Sequence, residues 1–227
     1  MAPRTWGAEG RGRVGARVAS ALLVLVLGLL VTGCSGDDAA QPAAVDGPVG
    51  LRRTPAPELG DLDFVDYAED AAGVPFPLTA EPGGYLLFYF GYLSCPDVCP
   101  LTLGHLSTAT GDLPADLASR VSVGMVTVDP ARDEGTEIAD YMTHFIDPGR
   151  GHALRAPDRA TLREAGDRVG ASWHREGETP SGSYFMAHTA AVYVIDDTGA
   201  VIWEFPFGTQ PDDIADAIVA LDGEARA

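Results

Sequence analysis

The feature that most constrains the fold is a continuous apolar run that leads into two closely spaced cysteines. Residues 85–90 read Tyr-Leu-Leu-Phe-Tyr-Phe, a composition typical of a buried central strand. After a short connection, residues 95–100 read Cys-Pro-Asp-Val-Cys-Pro, and the apolar spacing that follows predicts a helix; proline is tolerated in the first turn of a helix. Open α/β sheets bind ligands at the carboxyl ends of their strands, so this pattern predicts a functional site at residues 95–100.

The remaining segments alternate between strand and helix patterns. Two short runs at 63–66 and 75–78 predict an N-terminal β-hairpin, and further strands are predicted at 121–128, 190–195 and 201–205. Helical spacing is found at 136–145, 159–169 and 212–221. This order predicts an α/β fold without internal repeats.

The amino terminus predicts export and attachment to a membrane. Four arginines precede residues 21–31, which are apolar apart from Gly28 and too short for a comfortable membrane span. Residues 30–34 read Leu-Val-Thr-Gly-Cys and resemble a bacterial lipobox. Residues 1–33 are thus predicted to be a signal peptide, with Cys34 lipidated. The alternative is an uncleaved anchor helix with a chance cysteine; in both cases the domain faces outside the cytoplasm.

Composition divides the rest of the chain and limits its partners. Residues 34–57 are rich in Ala, Gly, Asp and Pro and predict a flexible tether. Residues 58–227 then suit one domain. The formal net charge of −18 at pH 7 argues against nucleic acid as a partner. It favours cationic partners or metal ions, unless it serves solubility alone.

The two cysteines that remain, Cys95 and Cys99, are predicted to do chemistry rather than to staple the fold. A disulfide across so short a loop removes little entropy from the unfolded chain. If both lie at a helix start, their side chains share a face, and the helix N-terminus favours thiolate. Two thiolates select a soft ion such as Cu(I) or Zn(II). Structural zinc usually takes four protein ligands, whereas two sulfurs and one imidazole suit Cu(I), or Cu(II) with an added weak ligand.

Any of five histidines could supply the imidazole. His188 is the best candidate, because it lies just before a predicted buried strand whose start can approach the first helix. The alternative is that His188 is a buried histidine satisfied by hydrogen bonds. The others are interpreted as surface or core residues: His105, His144, His152 and His174.

Three segments together resemble the Sco/SenC family of copper chaperones. They are residues 90–100, Phe-Gly-Tyr-Leu-Ser-Cys-Pro-Asp-Val-Cys-Pro; residues 126–133, Val-Thr-Val-Asp-Pro-Ala-Arg-Asp; and residues 184–189, Tyr-Phe-Met-Ala-His-Thr. The resemblance spans about residues 60–222 in the family's order. Three positions depart from the family pattern: Leu93 and Glu134 stand where Thr is common, and Ala187 where Asp is usual. The last change alters the surroundings of the site without removing a ligand.

The resemblance implies a thioredoxin-like domain with a central mixed β-sheet flanked by helices and an N-terminal β-hairpin. It implies one copper ion, Cu(I) or Cu(II), bound by Cys95, Cys99 and His188. It also implies that Asp97 and Asp129 act around the metal or in partner docking. The simpler alternatives are that Asp97 favours the helix start and that Asp129 caps a turn before Pro130.

The implied function is assembly of the dinuclear copper site in subunit II of cytochrome c oxidase, at the extracytoplasmic face of a bacterial membrane. Other partners would be another copper chaperone or a thiol reductase. The alternative is a thiol–disulfide oxidoreductase that uses Cys95 and Cys99 as its redox pair, although their three-residue gap favours a chelate. A peroxidase is disfavoured, because Leu93 and Ser94 do not offer the usual Thr before the reactive cysteine.

Overall fold

The computed structural model of the chain describes residues 47–180 and 182–227. The predicted signal peptide, the predicted lipid-attachment residue Cys34 and the first part of the predicted tether lie outside the described residues. Within the described ranges, no helix combines the length and the apolar composition that crossing a bilayer requires.

An eight-stranded mixed sheet forms the centre of the domain, and a separate two-stranded sheet lies outside it. The strands, numbered in chain order, are β1 (Leu51–Arg52), β2 (Asp63–Asp66), β3 (Val74–Pro77), β4 (Tyr85–Gly91), β5 (Val121–Thr127), β6 (Gly151–Arg155), β7 (Trp173–Glu176), β8 (Phe185–His188), β9 (Val192–Ile195) and β10 (Val201–Phe205). The large sheet has the spatial order β1-β10-β9-β4-β5-β6-β2-β3. Strands β4, β5 and β6 are parallel, and the other pairs are antiparallel.

The helices are α1 (Val98–Gly111), α2 (Ala115–Ala118), α3 (Gly135–Met142), α4 (Arg159–Val169) and α5 (Pro211–Ala225). Helix α1 contacts α5, and α3 packs on β6. Helix α4 has the clearest local signals: the Asp158 carboxylate accepts the Thr161 N–H at its start, and Gly170 ends it with φ 81°. An aspartate before the first turn marks the start of a helix, and a left-handed glycine after the last turn marks its end. The predicted bounds 159–169 are confirmed.

Strand β4 determines where the site lies. All seven of its residues are buried, because β5 and β9 pair with its two edges and apolar residues cover both faces. This confirms the buried central strand predicted from residues 85–90. The carboxyl end of β4 is therefore held by the core, and the chain leaves it directly into the segment that carries the two cysteines.

Several elements differ from those predicted from the sequence. No strand was predicted at β6 or β7, because Gly-His-Ala-Leu-Arg and Trp-His-Arg-Glu lack an apolar alternation. The helix predicted at 136–145 ends at Met142. Strand β1 lies within the segment predicted as a tether: Leu51 and Arg52 pair with Glu204 and Trp203. The last residues of that segment therefore form part of the folded sheet.

Candidate metal centre

The two cysteines lie on either side of the start of helix α1. Cys95 is half-buried in the turn after β4, whereas Cys99 is buried in the first turn of α1. The condition that both lie at the helix start is met by Cys99 but not by Cys95, because α1 begins only at Val98. The turn nevertheless folds back on the helix: the Cys99 backbone N–H donates to Cys95 Sγ at 3.3 Å. This contact places the two sulfurs on the same side of the helix start.

His188 approaches these sulfurs from the end of β8. Its Nε2 lies 3.9 Å from Cys99 Sγ. The candidate ligand atoms of Cys95, Cys99 and His188 all lie within 4.8 Å of one another, and they form the one such group of His, Cys, Asp or Glu among the described residues. The structure therefore brings together the three residues that the sequence singled out as ligands.

The orientation of the His188 ring leaves one nitrogen available. Its Nδ1 lies 3.1 Å from the backbone oxygen of Thr189. Because a carbonyl oxygen only accepts, Nδ1 carries the hydrogen, and in the neutral ring the lone pair is on Nε2. That lone pair belongs to the nitrogen nearest the sulfurs, as a metal ligand requires.

Two tyrosines enclose the group, and the sequence analysis assigned neither of them to the site. The Tyr89 hydroxyl donates to Cys99 Sγ at 3.3 Å. The Tyr89 and Tyr92 rings meet the His188 ring edge to face, with centroids 6.0 Å and 5.6 Å away. A signal for Tyr89 existed, since a tyrosine inside a buried strand usually finds a hydrogen-bond partner; which partner it finds depends on the fold.

The environment gives the two thiols opposite acidities. A hydrogen bond from the Cys99 thiol lowers the pKa of Cys95, and the backbone N–H groups of Cys99 and Asp97 act in the same direction. The neighbouring Cys95 sulfur, together with burial, raises the pKa of Cys99. Without metal, the site therefore holds its negative charge on Cys95 and a proton on Cys99. A metal ion bound by both sulfurs must displace that proton.

Asp133 holds the cysteine turn in place, a role that the sequence analysis did not assign. It is buried, and its Oδ2 accepts from the Leu93 backbone N–H at 3.0 Å and from Thr127 Oγ1 at 2.6 Å. Burial raises the pKa of this carboxyl. Asp133 thereby links the turn before Cys95 to the end of β5.

Asp129 performs the corresponding task for the histidine. It is buried and forms an ion pair with Arg132, and its Oδ1 accepts from the Tyr184 hydroxyl at 2.9 Å. Arg132 also donates to the Tyr184 backbone oxygen at 3.0 Å and lies 3.6 Å from the centre of its ring. Since Tyr184 immediately precedes β8, this cluster anchors the strand that ends at His188.

Asp97 is placed differently from Asp129. It precedes the first residue of α1, but its side chain is exposed and makes no capping hydrogen bond. This position agrees with the simpler alternative, a carboxylate that favours the helix start, and the roles around the metal or in partner docking stay predictions.

The four remaining histidines lie outside this group. His105 and His144 hydrogen-bond through Nδ1 to the backbone oxygens of Thr209 and Asp140, both at 2.9 Å. His152 contacts Asp66, and His174 is exposed on β7.

The protein is thus a thioredoxin-like domain in which two cysteines and one histidine converge at the carboxyl end of a central strand. The model of the SCO1/SenC family matches residues 68–221, which is more than half of the chain. The chain therefore belongs to the SCO1/SenC family, as the sequence motifs indicated.

Individual relatives agree with this assignment. An SCO2-like protein of Rickettsia felis is 26% identical over 156 residues, covering 68% of this chain and 72% of the relative. The solution structure of apo Sco1 from Thermus thermophilus matches with a TM-score of 0.60 at 27% identity, covering 80% of this chain and 99% of that one. Copper-bound ScoI of Bradyrhizobium japonicum matches with a TM-score of 0.59 at 24% identity, covering 76% and 98%. These structures confirm the predicted thioredoxin-like fold.

Proposed function

We propose that this chain is a copper chaperone that holds one copper ion between Cys95, Cys99 and His188. The observation that carries the proposal is the approach of the three ligand atoms to within 4.8 Å of one another, with the lone pair on His188 Nε2. Two soft thiolates and one imidazole suit three-coordinate Cu(I), and Cu(II) with an added weak ligand. ScoI of Bradyrhizobium japonicum, whose structure contains bound copper, supports the same choice of metal.

The surroundings of the cysteines suit release of the ion to a partner. Cys95 and His188 line a groove that also includes Pro96, Val98 and Phe185, whose side chain is 56% exposed. A thiolate of a partner that enters this groove can bind the copper before Cys95 leaves it. Transfer then proceeds by exchange of sulfur ligands, and no free ion is formed.

The recipient we propose is the dinuclear copper site in subunit II of cytochrome c oxidase. We also propose that the domain works on the extracytoplasmic face of a bacterial membrane, anchored through a lipid on Cys34. The support for this location is the signal-like segment before Cys34 and the tether-like composition that follows it. A tethered domain can reach a membrane-bound recipient nearby.

An anaerobic Cu(I) titration of the full chain in detergent, with a chromogenic chelator as competitor, tests copper binding. We expect one tightly bound ion per chain, and a large loss of affinity in the Cys95→Ser and Cys99→Ser variants. Transfer is tested by mixing the loaded chain with the copper-free soluble domain of subunit II and recording the copper spectrum of that domain. Stoichiometry unchanged in both serine variants would exclude the proposed ligands.

A second function, thiol–disulfide exchange, is favoured by the different exposure of the two thiols: Cys95 is half-buried and lines the groove, whereas Cys99 is buried behind it. The Cys95 thiolate would attack a partner disulfide, forming a mixed disulfide and releasing one partner thiolate. After losing its proton, Cys99 would attack Cys95 Sγ, forming the Cys95–Cys99 disulfide and releasing the second partner sulfur. The partner disulfide gains the two electrons that the cysteine pair loses.

Alkylation separates the roles of the two thiols in this exchange. With iodoacetamide at about pH 6, where an ordinary thiol of pKa about 8.5 reacts slowly, we expect modification of Cys95 at least about ten times faster than of Cys99. Mass spectrometry of the digested chain measures both rates. Equal rates would remove the basis for assigning Cys95 as the attacking thiol, and would leave the copper proposal unaffected.

A further inference from the structure

A second cavity lies beside the metal centre, and its charge is opposite to that of the chain as a whole. It has a volume of about 410 Å³, and Arg159, Arg163, His174 and Arg175 line it; we call these four residues and their cavity the basic pocket. The formal net charge of the chain is −18, so a local cluster of three guanidinium groups requires an explanation.

The guanidinium groups of the basic pocket have no acidic partner within the described residues. Seven of the eleven described arginines form ion pairs with carboxylates, and three of the four that do not are Arg159, Arg163 and Arg175. Arg163 and Arg175 lie over the rings of Trp173 and Tyr184, at 5.8 Å and 4.2 Å. These contacts position the groups and leave their charge uncompensated.

An acidic residue, Asp129, also lines the cavity, but its charge is neutralised by a neighbouring arginine. The Asp129 carboxylate forms an ion pair with Arg132 and accepts the Tyr184 hydroxyl. It is 3% exposed. The basic pocket therefore presents a net positive surface to a molecule that enters from solvent.

The basic pocket shares the hairpin formed by β7 and β8 with the metal centre. In this hairpin Trp173 pairs with His188, and Arg175 pairs with Met186. Met186 lines both the basic pocket and the groove at the cysteines. A molecule bound in the basic pocket is thus held next to the strand that ends at His188.

The lining determines the class of ligand. Guanidinium groups pair with carboxylates through two parallel hydrogen bonds. Apart from Asp129, the rest of the wall is apolar and includes Leu162, Trp173 and Met186. These residues suit the apolar side chains of a peptide and offer nothing to a free inorganic anion. Because the remaining surface is acidic and repels an acidic partner, such a pocket also sets the orientation of docking.

We propose that the basic pocket docks a carboxylate-rich segment of a partner protein beside the metal centre. This inference rests on the proposed function in one respect: the docked partner is taken to be the protein that exchanges copper or electrons with Cys95 and Cys99. The docking itself requires no metal.

The test uses the full, copper-free chain in nonionic detergent and a fluorescent peptide of about eight residues in which Glu alternates with Leu. Fluorescence anisotropy measures its binding. We expect the same peptide with Gln in place of Glu to bind at least about tenfold more weakly, as charge-assisted pairs predict. We also expect the affinity for the Glu peptide to fall steeply when salt is raised from about 20 to about 200 mM.

Variants of the chain locate the peptide. The double variant Arg163→Gln with Arg175→Gln should weaken binding at least about tenfold. Arg159→Gln alone should weaken peptide binding less. Because Arg159 is exposed, this variant should fold normally, so weaker binding by it cannot be attributed to unfolding. The matched control, Arg52→Gln with Arg226→Gln, removes two charges from a different cavity and should bind like the parent chain.

Other outcomes overturn the inference. Equal weakening in the two double variants would show that net charge alone attracts the peptide. Full displacement of the Glu peptide by about millimolar inorganic phosphate would make the basic pocket a small-anion site. Peptide binding and copper binding are measured separately, so a chain that binds copper but not the peptide contradicts only this inference, and the reverse result contradicts only the proposed function.

Discussion

The domain contains two antiparallel hairpins of similar size, and they are attached to it in different ways. In the first, β2 pairs with β3 and also with β6, so that the hairpin forms one edge of the eight-stranded sheet. In the second, β7 and β8 pair only with each other. Side chains attach this second hairpin: the cluster of Asp129, Arg132 and Tyr184, and the stacking of Trp173 on Phe90 at 5.6 Å.

One histidine lies beside the first hairpin and another ends the second, and only the latter faces the two cysteines. His152, beside the first hairpin, has its Nδ1 2.7 Å from Asp66 and its ring 4.4 Å from that of Phe76. His188, at the end of the second hairpin, has its Nδ1 on a neighbouring carbonyl and its Nε2 near Cys99. The candidate ligand His188 therefore lies on the hairpin that side chains hold in place, and its position depends on those side chains.

The substitution His188→Ala, compared with His152→Ala, should have the largest effect on copper binding. Because two thiolates alone can hold Cu(I), His188→Ala should weaken Cu(II) far more than Cu(I). Four-ligand structural zinc sites bind with about 10–16 kcal/mol of free energy. Shared equally, this gives about 3 kcal/mol for each ligand, so losing one ligand lowers the affinity about 100-fold. Chelator competition with each oxidation state measures this. His152→Ala is the control and should leave both affinities unchanged; equal weakening of Cu(I) and Cu(II) by His188→Ala would contradict the assignment.

A smaller effect is expected from loosening the second hairpin without touching a ligand. Asp129→Asn removes the charge that pairs with Arg132 and alters the contact with Tyr184, so His188 should be less well positioned. We expect Cu(II) affinity to fall about 10- to 100-fold, the usual cost of changing a residue that orients a ligand. The Cu(I) affinity should change much less.

The matched control for this variant is Asp66→Asn, which makes the same chemical change at the first hairpin. It should destabilise the fold and leave the affinity of the folded protein for copper unchanged. Thermal unfolding of both variants separates loss of folding from loss of binding. If the two variants weaken Cu(II) binding alike, the position of His188 does not depend specifically on the Asp129 contacts of the second hairpin.

A still smaller effect should mark the rigid side of the site, where the sulfurs lie. Tyr89→Phe removes the hydroxyl that donates to Cys99 Sγ and keeps the ring. One hydrogen bond of this kind is worth about 1 kcal/mol, so Cu(I) affinity should change by about fivefold. Tyr193→Phe, at a buried tyrosine of β9, is the control. If Tyr89→Phe weakened copper binding as much as is expected of His188→Ala, the positions of the two sulfurs would also depend on a single hydrogen bond.

The smallest effect concerns the acid stability of the first hairpin. Burial acts to raise the pKa of Asp66, but hydrogen bonds from His152 and from the N–H groups of Ala68 and Ala153 outweigh it, and the pKa is lowered overall. A carboxyl with a lower pKa in the folded state stabilises the fold above its ordinary pKa, and this stabilisation is lost as the pH falls through the lowered value. Urea unfolding between about pH 6 and pH 2 measures it. Asp66→Asn should unfold with a weaker pH dependence over the acid part of this range; an unchanged dependence would assign the acid sensitivity to other groups.

The elements that the sequence predicted are those with strong local signals. Strand β4 is uniformly apolar, and helix α4 has its aspartate cap and terminal glycine. Strand β7 was not predicted, because Trp-His-Arg-Glu becomes a strand only by pairing with β8. Short strands that form through partners distant in the chain leave no periodicity to detect.

The chemistry of the site could be inferred from the order of residues alone: two cysteines four positions apart after a buried strand, and a histidine before another strand. The folded domain was needed to show that His188 meets Cys99 across 89 residues of chain and which of its nitrogens faces the sulfurs. It was also needed to show that Tyr89 and Asp129 support the arrangement. Residue types and local spacing set which atoms can bind, whereas the packing of the sheet, and of the hairpin beside it, sets which of those atoms come together.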